Sequence, residues 1–594
     1  MGGGDFAWSP DMKWMAYAAR SESRAWNIYV VATELQADGR TATPINITRL
    51  YAEHSEPAWS PDGKYLFFQS AREGDGLYVL PLKKESVRNS DTDIKYEKPG
   101  TNVTVEIDFD DISSRIRRLA SQSPQAGLTV APDGNILFIS EGDVWSVSYD
   151  GKDTKRQTTG GGKSSLRIAR EAKKLSYLQG GEMYVAGLDA KGAEKVTFTA
   201  EWERDVRAER RAAFTQFWNG YNRGFYDPNF HGRDWAAIRS RYEPMLDAVE
   251  TNDEFASLLH MMIGELETSH SEVRPGGAGR ESASETTPQL GFTFDYDYDG
   301  PGIKVRTVPT GTPGAYSKTE LKPGDLVLAI NGQDVTLDER LYEFINDKPS
   351  REFDFLVNTN TDRTTARTVK YKVLSDGEWS DLNYRNRVDR LRKSTEEKSG
   401  GKIGYLHLAA MSMGNQIKFE REAYEYMSGK EGMIIDVRFN SGGNISDTLI
   451  DWIERKPHGY FRPRDAQPEK APYHSWEKRC IVLMNEHSYS NGEMFPSAMR
   501  TRGLAKLVGM PTPGYVIWTS EMRLVDGTGA RMPGSGVFRL DGSNMENNGE
   551  QPDVRVPMSP EDWLSDRDPQ LDKAIELLIG SSEKDKLKPQ TAGP

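Results

Sequence analysis

Ser490 stands in a sequence context that could make its hydroxyl a nucleophile. It lies in Ser488-Tyr489-Ser490-Asn491-Gly492-Glu493, between a predicted buried strand and a predicted helix that begins at Ser490. A serine at such a junction projects its hydroxyl above the sheet, where the first free amides of the helix favour a developing oxyanion. Ser490 and Glu493 also fit a capping box, the commonest reason for a serine at a helix start, so this segment alone favours a cap.

A glycine loop follows the neighbouring predicted strand and could complete an oxyanion site. The run 433–437 is largely apolar, and Asn440-Ser441-Gly442-Gly443 comes directly after it. Two glycines let backbone amides approach a carbonyl oxygen closely, although Gly-Gly is also common turn material. Acyl transfer further requires a general base.

Two of the eight histidines are candidates for that base. His487 lies on the same turn as Ser490, and such close neighbours rarely point at one another. His270 leaves a predicted helix beside Ser269, whose hydroxyl could accept a hydrogen bond from the ring and pass the polarisation to a carboxylate. A lone Ser-His pair is nevertheless more often a cap or a surface turn than a catalytic pair.

The elements that must position these residues are predicted to belong to an α/β domain and a helical domain. Apolar runs at 433–437, 481–484 and 507–509 alternate with helical patterns, which predicts a mainly parallel sheet with ligands at the carboxyl ends of its strands. We assign residues 385–594 to this catalytic domain. In residues 201–284 apolar residues recur with helical spacing, and Thr251 and Glu254 are placed as a capping box, so a helical core domain is predicted there.

Two further domains are predicted before and between these. Residues 1–200 repeat a Pro-Asp or Pro-Asp-Gly turn that leads into a short strand, as in Trp59-Ser60-Pro61-Asp62-Gly63, which predicts about four β-propeller blades in a small or incomplete set. In residues 285–384, a Leu-Gly-Phe loop before a strand and a Pro-Gly-Asp turn before an Ile-Asn-Gly hairpin resemble a PDZ domain. A PDZ domain binds a peptide as an added strand, although one that only spaces its neighbours is an equal alternative. The fold class predicted is therefore multidomain.

The composition narrows the classes of function. With 89 acidic and 76 basic residues among 594, the chain has a net charge of −13, which argues against nucleic-acid binding. Its single cysteine, Cys480, excludes an internal disulfide or a cysteine-based zinc cluster. No run approaches a membrane span and the start lacks a signal peptide, so we expect no membrane association and a cytoplasmic location. Residues 7–11 already lie inside a repeat motif, which suggests that the natural protein extends upstream. If that extension contained a signal peptide, the location would be periplasmic or secreted.

Several segments together resemble the tricorn protease family of serine peptidases. They are Gly224 to Trp235 (GFYDPNFHGRDW), Gly264 to His270 (GELETSH), Asp436 to Gly443, Asn485 to Glu493, and Glu546-Asn547-Asn548-Gly549 followed by Pro552-Asp553. The resemblance implies Ser490 as nucleophile, His270 as general base and Ser269 as its relay. It also implies that Glu546 orients the relay serine, that the amides of Gly443 and Asn491 hold the oxyanion, and that the assembly is a homohexamer.

Two departures from related patterns bear on mechanism and specificity. The related carboxyl-terminal processing peptidases carry a lysine base in a Thr-x-Gly-Lys segment, where this chain has Thr512-Pro513-Gly514-Tyr515. A tyrosine cannot replace a low-pKa amine at neutral pH, so a histidine mechanism is favoured. Where the tricorn family has an aspartate that recognises basic side chains, this chain has Phe461, which predicts apolar residues before the cut bond.

The sequence thus predicts a serine peptidase that cleaves oligopeptides and needs no metal or organic cofactor. A lysine-based peptidase that uses Lys506 is one alternative. The other is a non-catalytic peptide-binding scaffold with an inactive peptidase-like domain.

Overall fold

The fold is taken from a computed structural model. It describes residues 6–21, 25–35, 39–84, 94, 96–100, 102–169, 171, 173–199, 201, 203–277, 286–346, 352–426, 429–464 and 467–580. The chain divides into two compact units, residues 1–202 and 203–594. The predicted domain boundary at 284/285 lies outside the described residues.

The first unit consists of four-stranded antiparallel sheets, each built from consecutive strands. The turn motif explains how each repeat begins, because Ser60 Oγ donates to Asp62 Oδ1 at 2.6 Å and accepts from the amide of Tyr65 at 2.9 Å. Successive sheets pack against one another through their first strands. The strands are β1 (Phe6–Trp8), β2 (Trp14–Arg20), β3 (Trp26–Ala32), β4 (Ile45–Asn46), β5 (His54–Trp59), β6 (Tyr65–Ser70), β7 (Gly76–Pro81), β8 (Arg117–Ala120), β9 (Ala126–Val130), β10 (Ile136–Ser140), β11 (Asp143–Val147), β12 (Thr154–Arg156), β13 (Lys163–Ala169), β14 (Lys174–Gln179), β15 (Glu182–Gly187) and β16 (Glu194–Lys195).

The second unit begins with three helices and a short strand. These are α1 (Val206–Gly224), α2 (Trp235–Tyr242), α3 (Asn252–Gly264) and β17 (Val273–Arg274). The amide of Glu254 donates to Thr251 Oγ1 at 3.1 Å and the amide of Thr251 donates to the Glu254 carboxylate at 2.9 Å, so the predicted capping box is confirmed. The buried faces of α1 and α3 form one core, which includes Leu266, four residues before His270, and Val273, three residues after it.

An antiparallel sheet follows, in the order β18-β19-β20-β22-β23, with β21 paired to β20. Its elements are β18 (Thr293–Phe294), β19 (Ile303–Thr307), β20 (Leu326–Ile330), β21 (Gln333–Asp334), α4 (Arg340–Ile345), β22 (Glu352–Asn358) and β23 (Arg367–Lys372). The next helix, α5 (Asp376–Ser399), packs on the sheet described below. The domain boundary predicted at 384/385 falls within α5.

The last part contains a five-stranded sheet in which all neighbouring strands are parallel, in the order β24-β25-β28-β29-β32, as predicted from the alternating pattern. A separate antiparallel sheet, β17-β31-β30, joins the exit of the helical region to this part. The elements are β24 (Ile403–His407), α6 (Met413–Tyr426), β25 (Gly432–Asp436), α7 (Ser446–Ile453), β26 (Gly459–Phe461), β27 (Glu469–Ala471), β28 (Arg479–Met484), α8 (Asn491–Thr501), β29 (Ala505–Gly509), β30 (Ile517–Arg523), β31 (Gly529–Gly536), β32 (Val554–Arg555), α9 (Pro560–Leu564) and α10 (Pro569–Gly580). Within the described ranges, no helix combines the length and the apolar character needed to cross a bilayer.

Candidate active site

Ser490 occupies a sharp turn between β28 and α8. Its backbone has φ 54° and ψ −118°, an unusual conformation for a residue with a side chain. Such strain persists only where surrounding contacts impose it, and it costs on the order of 1–3 kcal/mol. The amide of Tyr489 donates to the carbonyl of Asn440 at 2.8 Å, and a Cβ at Gly442 would lie 2.8 Å from the Cβ of Ser490. The glycine loop after β25 therefore packs directly against the serine.

Glu493 stabilises this turn through hydrogen bonds to its buried carboxylate. Its carboxylate is fully buried and accepts hydrogen bonds from the amides of Ser490 (3.2 Å), Gly514 (2.7 Å) and Tyr515 (2.8 Å) and from Thr512 Oγ1 (2.5 Å). Burial raises the pKa of this carboxyl group, and the four hydrogen bonds oppose that rise. The sequence suggested Glu493 only as a capping partner, and its link to residues 512–515 depends on contacts distant in sequence.

The main-chain amides of Gly443 and Asn491 are free to bind an anion. Among the described residues neither donates a hydrogen bond, whereas the amides of Gly442, Asn444 and Gly492 all do. Gly443 has φ 142°, and a Cβ there would lie 2.0 Å from the carbonyl oxygen of Met411, so only glycine fits. The Asn491 amide lies at the amino terminus of α8, where the helix dipole favours negative charge.

A buried ion cluster fixes the strand end that leads into the glycine loop. Arg438 is 1% exposed; its Nε donates to Asp436 at 3.0 Å, and its Nη1 and Nη2 donate to Asp568 at 3.0 and 2.9 Å. Removing one member of such a cluster leaves an uncompensated buried charge and typically costs about 3–5 kcal/mol. The cluster therefore holds the loop rigidly relative to α10.

His270 follows α3 and belongs to a chain of hydrogen bonds that ends at a buried carboxylate. Its Nδ1 lies 2.9 Å from Ser269 Oγ, which lies 3.1 Å from Glu546 Oε2. The other Glu546 oxygen accepts from the amide of Ser269 at 2.6 Å, and Oε2 also accepts from the amide of Val516 at 2.9 Å. Because a carboxylate only accepts, the single proton of Ser269 Oγ points to Glu546 and Nδ1 carries a proton. Nε2 of His270 is then the unprotonated nitrogen, able to accept one.

The surroundings favour the neutral imidazole. Burial lowers the pKa of His270, the positive charge of Arg531 lowers it further, and Glu272 and Glu546 oppose the shift. The ring is therefore unprotonated at neutral pH, as a general base must be.

Ser490 and His270 line the same cavity of about 280 Å³, together with Gly443 and Ser441. The described structure contains no hydrogen bond between the serine hydroxyl and the imidazole. A second cavity of about 610 Å³ is also lined by His270, with Tyr489 and Tyr515 among its walls. Ser490, His270 and the free amide of Gly443 thus face one cavity, which a peptide carbonyl could enter.

A second network of hydrogen bonds reaches the main-chain amide of Glu546. Tyr226 Oη lies 2.5 Å from His231 Nε2 and accepts from Asn544 Nδ2 at 3.1 Å, and Asn544 Oδ1 accepts from the amide of Glu546 at 3.0 Å. Both Tyr226 and His231 lie in the segment 224–235 singled out from the sequence. Nothing in the local pattern could assign them this partner, which is about 300 residues away.

The remaining candidates lie elsewhere. Phe461 is on the hairpin of β26 and β27, where it is half exposed and stacks on Tyr473, and it does not line the 280 Å³ cavity. His487 is exposed, stacks on Phe439 and also does not line that cavity. Lys506 is exposed on β29, away from Ser490. Among the described residues no group of three His, Cys, Asp or Glu side chains is arranged to hold a metal ion.

Comparison with known families identifies two regions of this unit. The family model "Peptidase family S41" matches residues 402–556, and "Tricorn protease C1 domain" matches residues 206–264. The first region contains Ser490, Gly443, Asn491 and Glu546, and the second ends six residues before His270. The first match therefore contains every residue that lines the 280 Å³ cavity except His270, which lies between the two matches.

Relatives and a solved structure match nearly the whole chain. A putative Tricorn-like protease C-terminal subunit of Sulfurisphaera tokodaii is 27% identical over 620 residues, which cover 97% of this chain and 70% of the relative. The tricorn protease of Thermoplasma volcanium is 26% identical over 637 residues, or 98% of this chain and 60% of the relative. The crystal structure of the tricorn protease superposes with a TM-score of 0.77 at 21% identity, over 97% of this chain and 59% of that one. The chain therefore shares that fold and spans 60–70% of the length of these two relatives.

Proposed function

We propose that this chain, a member of the tricorn protease family, is a serine peptidase that cleaves oligopeptides through an acyl-enzyme on Ser490, with His270 as general base. One observation carries the proposal. The ring of His270, oriented by the chain of hydrogen bonds from Glu546 through Ser269, lines the same cavity as the Ser490 hydroxyl and the free amide of Gly443.

The mechanism proceeds in two half-reactions. Nε2 of His270 takes the proton of Ser490 Oγ as the oxygen attacks the peptide carbonyl, and the amides of Gly443 and Asn491 bind the resulting oxyanion. His270 then protonates the leaving amine, and the acyl-enzyme forms. Water enters, loses a proton to His270 and attacks the ester carbonyl, and the collapse of that intermediate releases the acid and restores the serine.

Ser269 and Glu546 act on the imidazole rather than on the substrate. Their hydrogen bonds hold the proton on Nδ1 and leave Nε2 free, and the negative charge of Glu546 stabilises the imidazolium that forms in each transition state.

An extended substrate can pair with β30. This strand is at one edge of the β17-β31-β30 sheet, and its residues Ile517, Trp518 and Thr519 line the cavity that contains Ser490. An exposed edge offers main-chain hydrogen bonds to any peptide regardless of sequence. We assign Phe461 to a separate contact with the residue before the cut bond, where it would favour apolar side chains.

The other regions would control access to this site. We assign the four-stranded sheets of residues 1–200 as propeller blades, residues 201–284 as the helical core domain, 285–384 as a PDZ domain and 385–594 as the catalytic domain. The PDZ assignment is supported by β18, an edge strand that follows the Leu-Gly-Phe loop and is available for strand addition. Peptide substrates, a homohexameric assembly and a cytoplasmic location complete the proposal.

Labelling with a fluorophosphonate probe tests the nucleophile and the base together. We expect covalent label on Ser490, no label in Ser490→Ala, and a rate about 100- to 10,000-fold lower in His270→Ala because general-base assistance is lost. His487→Ala is the matched control, since this exposed histidine lies three residues from Ser490 but outside the cavity. If the wild-type chain neither reacts with the probe nor cleaves a mixed peptide library, the scaffold alternative replaces the peptidase.

A further inference from the structure

The cavity that contains Ser490 has one feature that the catalytic residues do not use. Its other walls combine the polar side chains of Ser441 and Thr519 with the apolar side chains of Met494, Ile517, Trp518 and Val537. Arg531, on β31, is the one side chain of formal charge among the described residues that line it, because His270 is neutral. A cation held beside Ser490 favours a ligand that carries a negative charge at that place.

The guanidinium of Arg531 is held in place but only partly used. Its Nε donates to Thr519 Oγ1 at 2.8 Å, its Nη1 reaches Glu272 only at 3.3 and 3.5 Å, and its Nη2 donates to no described residue. The Glu272 carboxylate is 53% exposed, so this ion pair is weak in water.

The backbone of Arg531 is fixed on both sides. Its amide donates to the carbonyl of Glu272 at 2.9 Å, and its carbonyl accepts from Tyr221 Oη at 2.7 Å. The planar guanidinium of an arginine can donate two parallel hydrogen bonds to a carboxylate. In Arg531 the guanidinium is carried by a strand whose backbone is fixed, and its Nη2 side is available for such a bond. Its charge also reaches the reacting groups, since it lowers the pKa of His270.

We propose that Arg531 binds a carboxylate of the peptide substrate next to the scissile bond, so that the peptidase selects acidic peptides and rejects lysine and arginine at that position. This inference rests on the proposed function and adds a specificity-determining residue to it. The carboxylate can be the side chain of an aspartate or glutamate, or the free carboxyl terminus of a short peptide. The apolar walls would contact the neighbouring side chain.

Pairs of isosteric peptides test the proposed carboxylate site. Because both members of a pair are measured with the same variant, any general effect of the substitution on catalysis cancels in their ratio. Each pair consists of two fluorogenic peptides that differ in one group only. That group is Asp or Asn, or Glu or Gln, at a position flanking the cut bond, or a free acid or an amide at the carboxyl terminus. The ratio of kcat/KM for acid over neutral member is measured in the wild type, Arg531→Lys and Arg531→Gln. We expect a ratio of about ten or more for one pair in the wild type, a smaller one in Arg531→Lys, and about one in Arg531→Gln. Which pair responds distinguishes a side-chain carboxylate from a carboxyl terminus.

Arg274→Gln is the matched control, because Arg274 lies on the adjacent strand β17, is exposed and does not line the cavity. It removes the same charge and should leave the ratio unchanged. A ratio near one for every pair in the wild type, or a ratio unchanged in Arg531→Gln, would overturn the proposal.

A binding measurement separates this inference from the proposed chemistry. In Ser490→Ala, the acid member of at least one of these pairs should bind about ten-fold more tightly than its neutral member, and Arg531→Gln added to that background should abolish the difference. If the wild type fails to label or cleave while this difference is present, the proposed function is wrong and the carboxylate site stands. If cleavage occurs and neither the kinetic nor the binding ratio responds to Arg531, the carboxylate site is wrong and the peptidase stands.

Discussion

Replacing Glu546 by glutamine should reverse the hydrogen bonds that orient His270. The carboxylate accepts from the amides of Ser269 and Val516, from the hydroxyl of Ser269 and, at 3.5 Å, from the hydroxyl of Thr268. A glutamine has only one accepting oxygen, so its NH2 group must face at least one of them. If it faces Ser269 Oγ, that hydroxyl becomes the acceptor and turns its own proton toward Nδ1 of His270. The ring must then carry its proton on Nε2, where it cannot take one from Ser490.

The size of the effect follows from charge and distance. Two successive hydrogen bonds of 3.1 and 2.9 Å join Glu546 Oε2 to His270 Nδ1, so the charges in the transition state are no more than about 6 Å apart. At an effective dielectric constant of about 20 this attraction is about 3 kcal/mol, equivalent to about a hundred-fold in kcat. Loss of the reactive tautomer adds to it, so we expect a decrease of about 10²- to 10⁴-fold.

Steady-state cleavage of a fluorogenic peptide measures the decrease, with thermal unfolding as the test of folding. Glu267→Gln is the control, because Glu267 is exposed, lies in the same loop and pairs with Arg233 instead. The Ser269→Ala and Glu546→Gln double variant should be no slower than the slower single variant, since the two residues act in series. A folded Glu546→Gln enzyme with kcat within three-fold of the wild type, or additive effects in the double variant, would refute the orientation argument.

Three other variants test neighbouring steps. The acid limb of the kcat/KM profile should lie below the ordinary histidine pKa of about 6.5, because burial and Arg531 lower the pKa of His270, and Arg531→Gln should move that limb to higher pH; an unmoved limb would contradict the assignment. Gly443→Ala should lower kcat at least about a hundred-fold and also lower the melting temperature, since its Cβ would meet the carbonyl of Met411, and near-normal turnover would argue against an oxyanion donor there. Lys506→Ala should leave kcat unchanged, whereas loss of cleavage in that variant but not in His270→Ala would establish the lysine mechanism.

Local patterns in the sequence predicted local structure well, but they could not predict contacts between strands that are distant in sequence. The parallel sheet and the Thr251 capping box follow from periodicity and from spacings of a few residues, which local energetics enforce. The position of Arg531 depends on the pairing of β31 with β17, which lies more than 250 residues earlier. The sequence of an antiparallel strand does not indicate which distant strand it pairs with. The role proposed for Glu546 came from family resemblance for the same reason, whereas Ser269 was suggested by its position next to His270. The expected contact of Phe461 stays a prediction.

The two interpretations of the serine at the start of α8, cap or nucleophile, concern different atoms. Glu493 accepts from the main-chain amide of Ser490, while its own amide donates to the carbonyl of Ser490 at 2.8 Å, so the helix start is anchored through the backbone. The same carboxylate accepts from Thr512 and from the amides of Gly514 and Tyr515, which are distant from Glu493 in sequence. A buried carboxyl group that ties the turn at Ser490 to residues 512–515 keeps the Ser490 backbone in its strained conformation. The cap is therefore one of the contacts that aim the hydroxyl, and its presence does not count against catalysis.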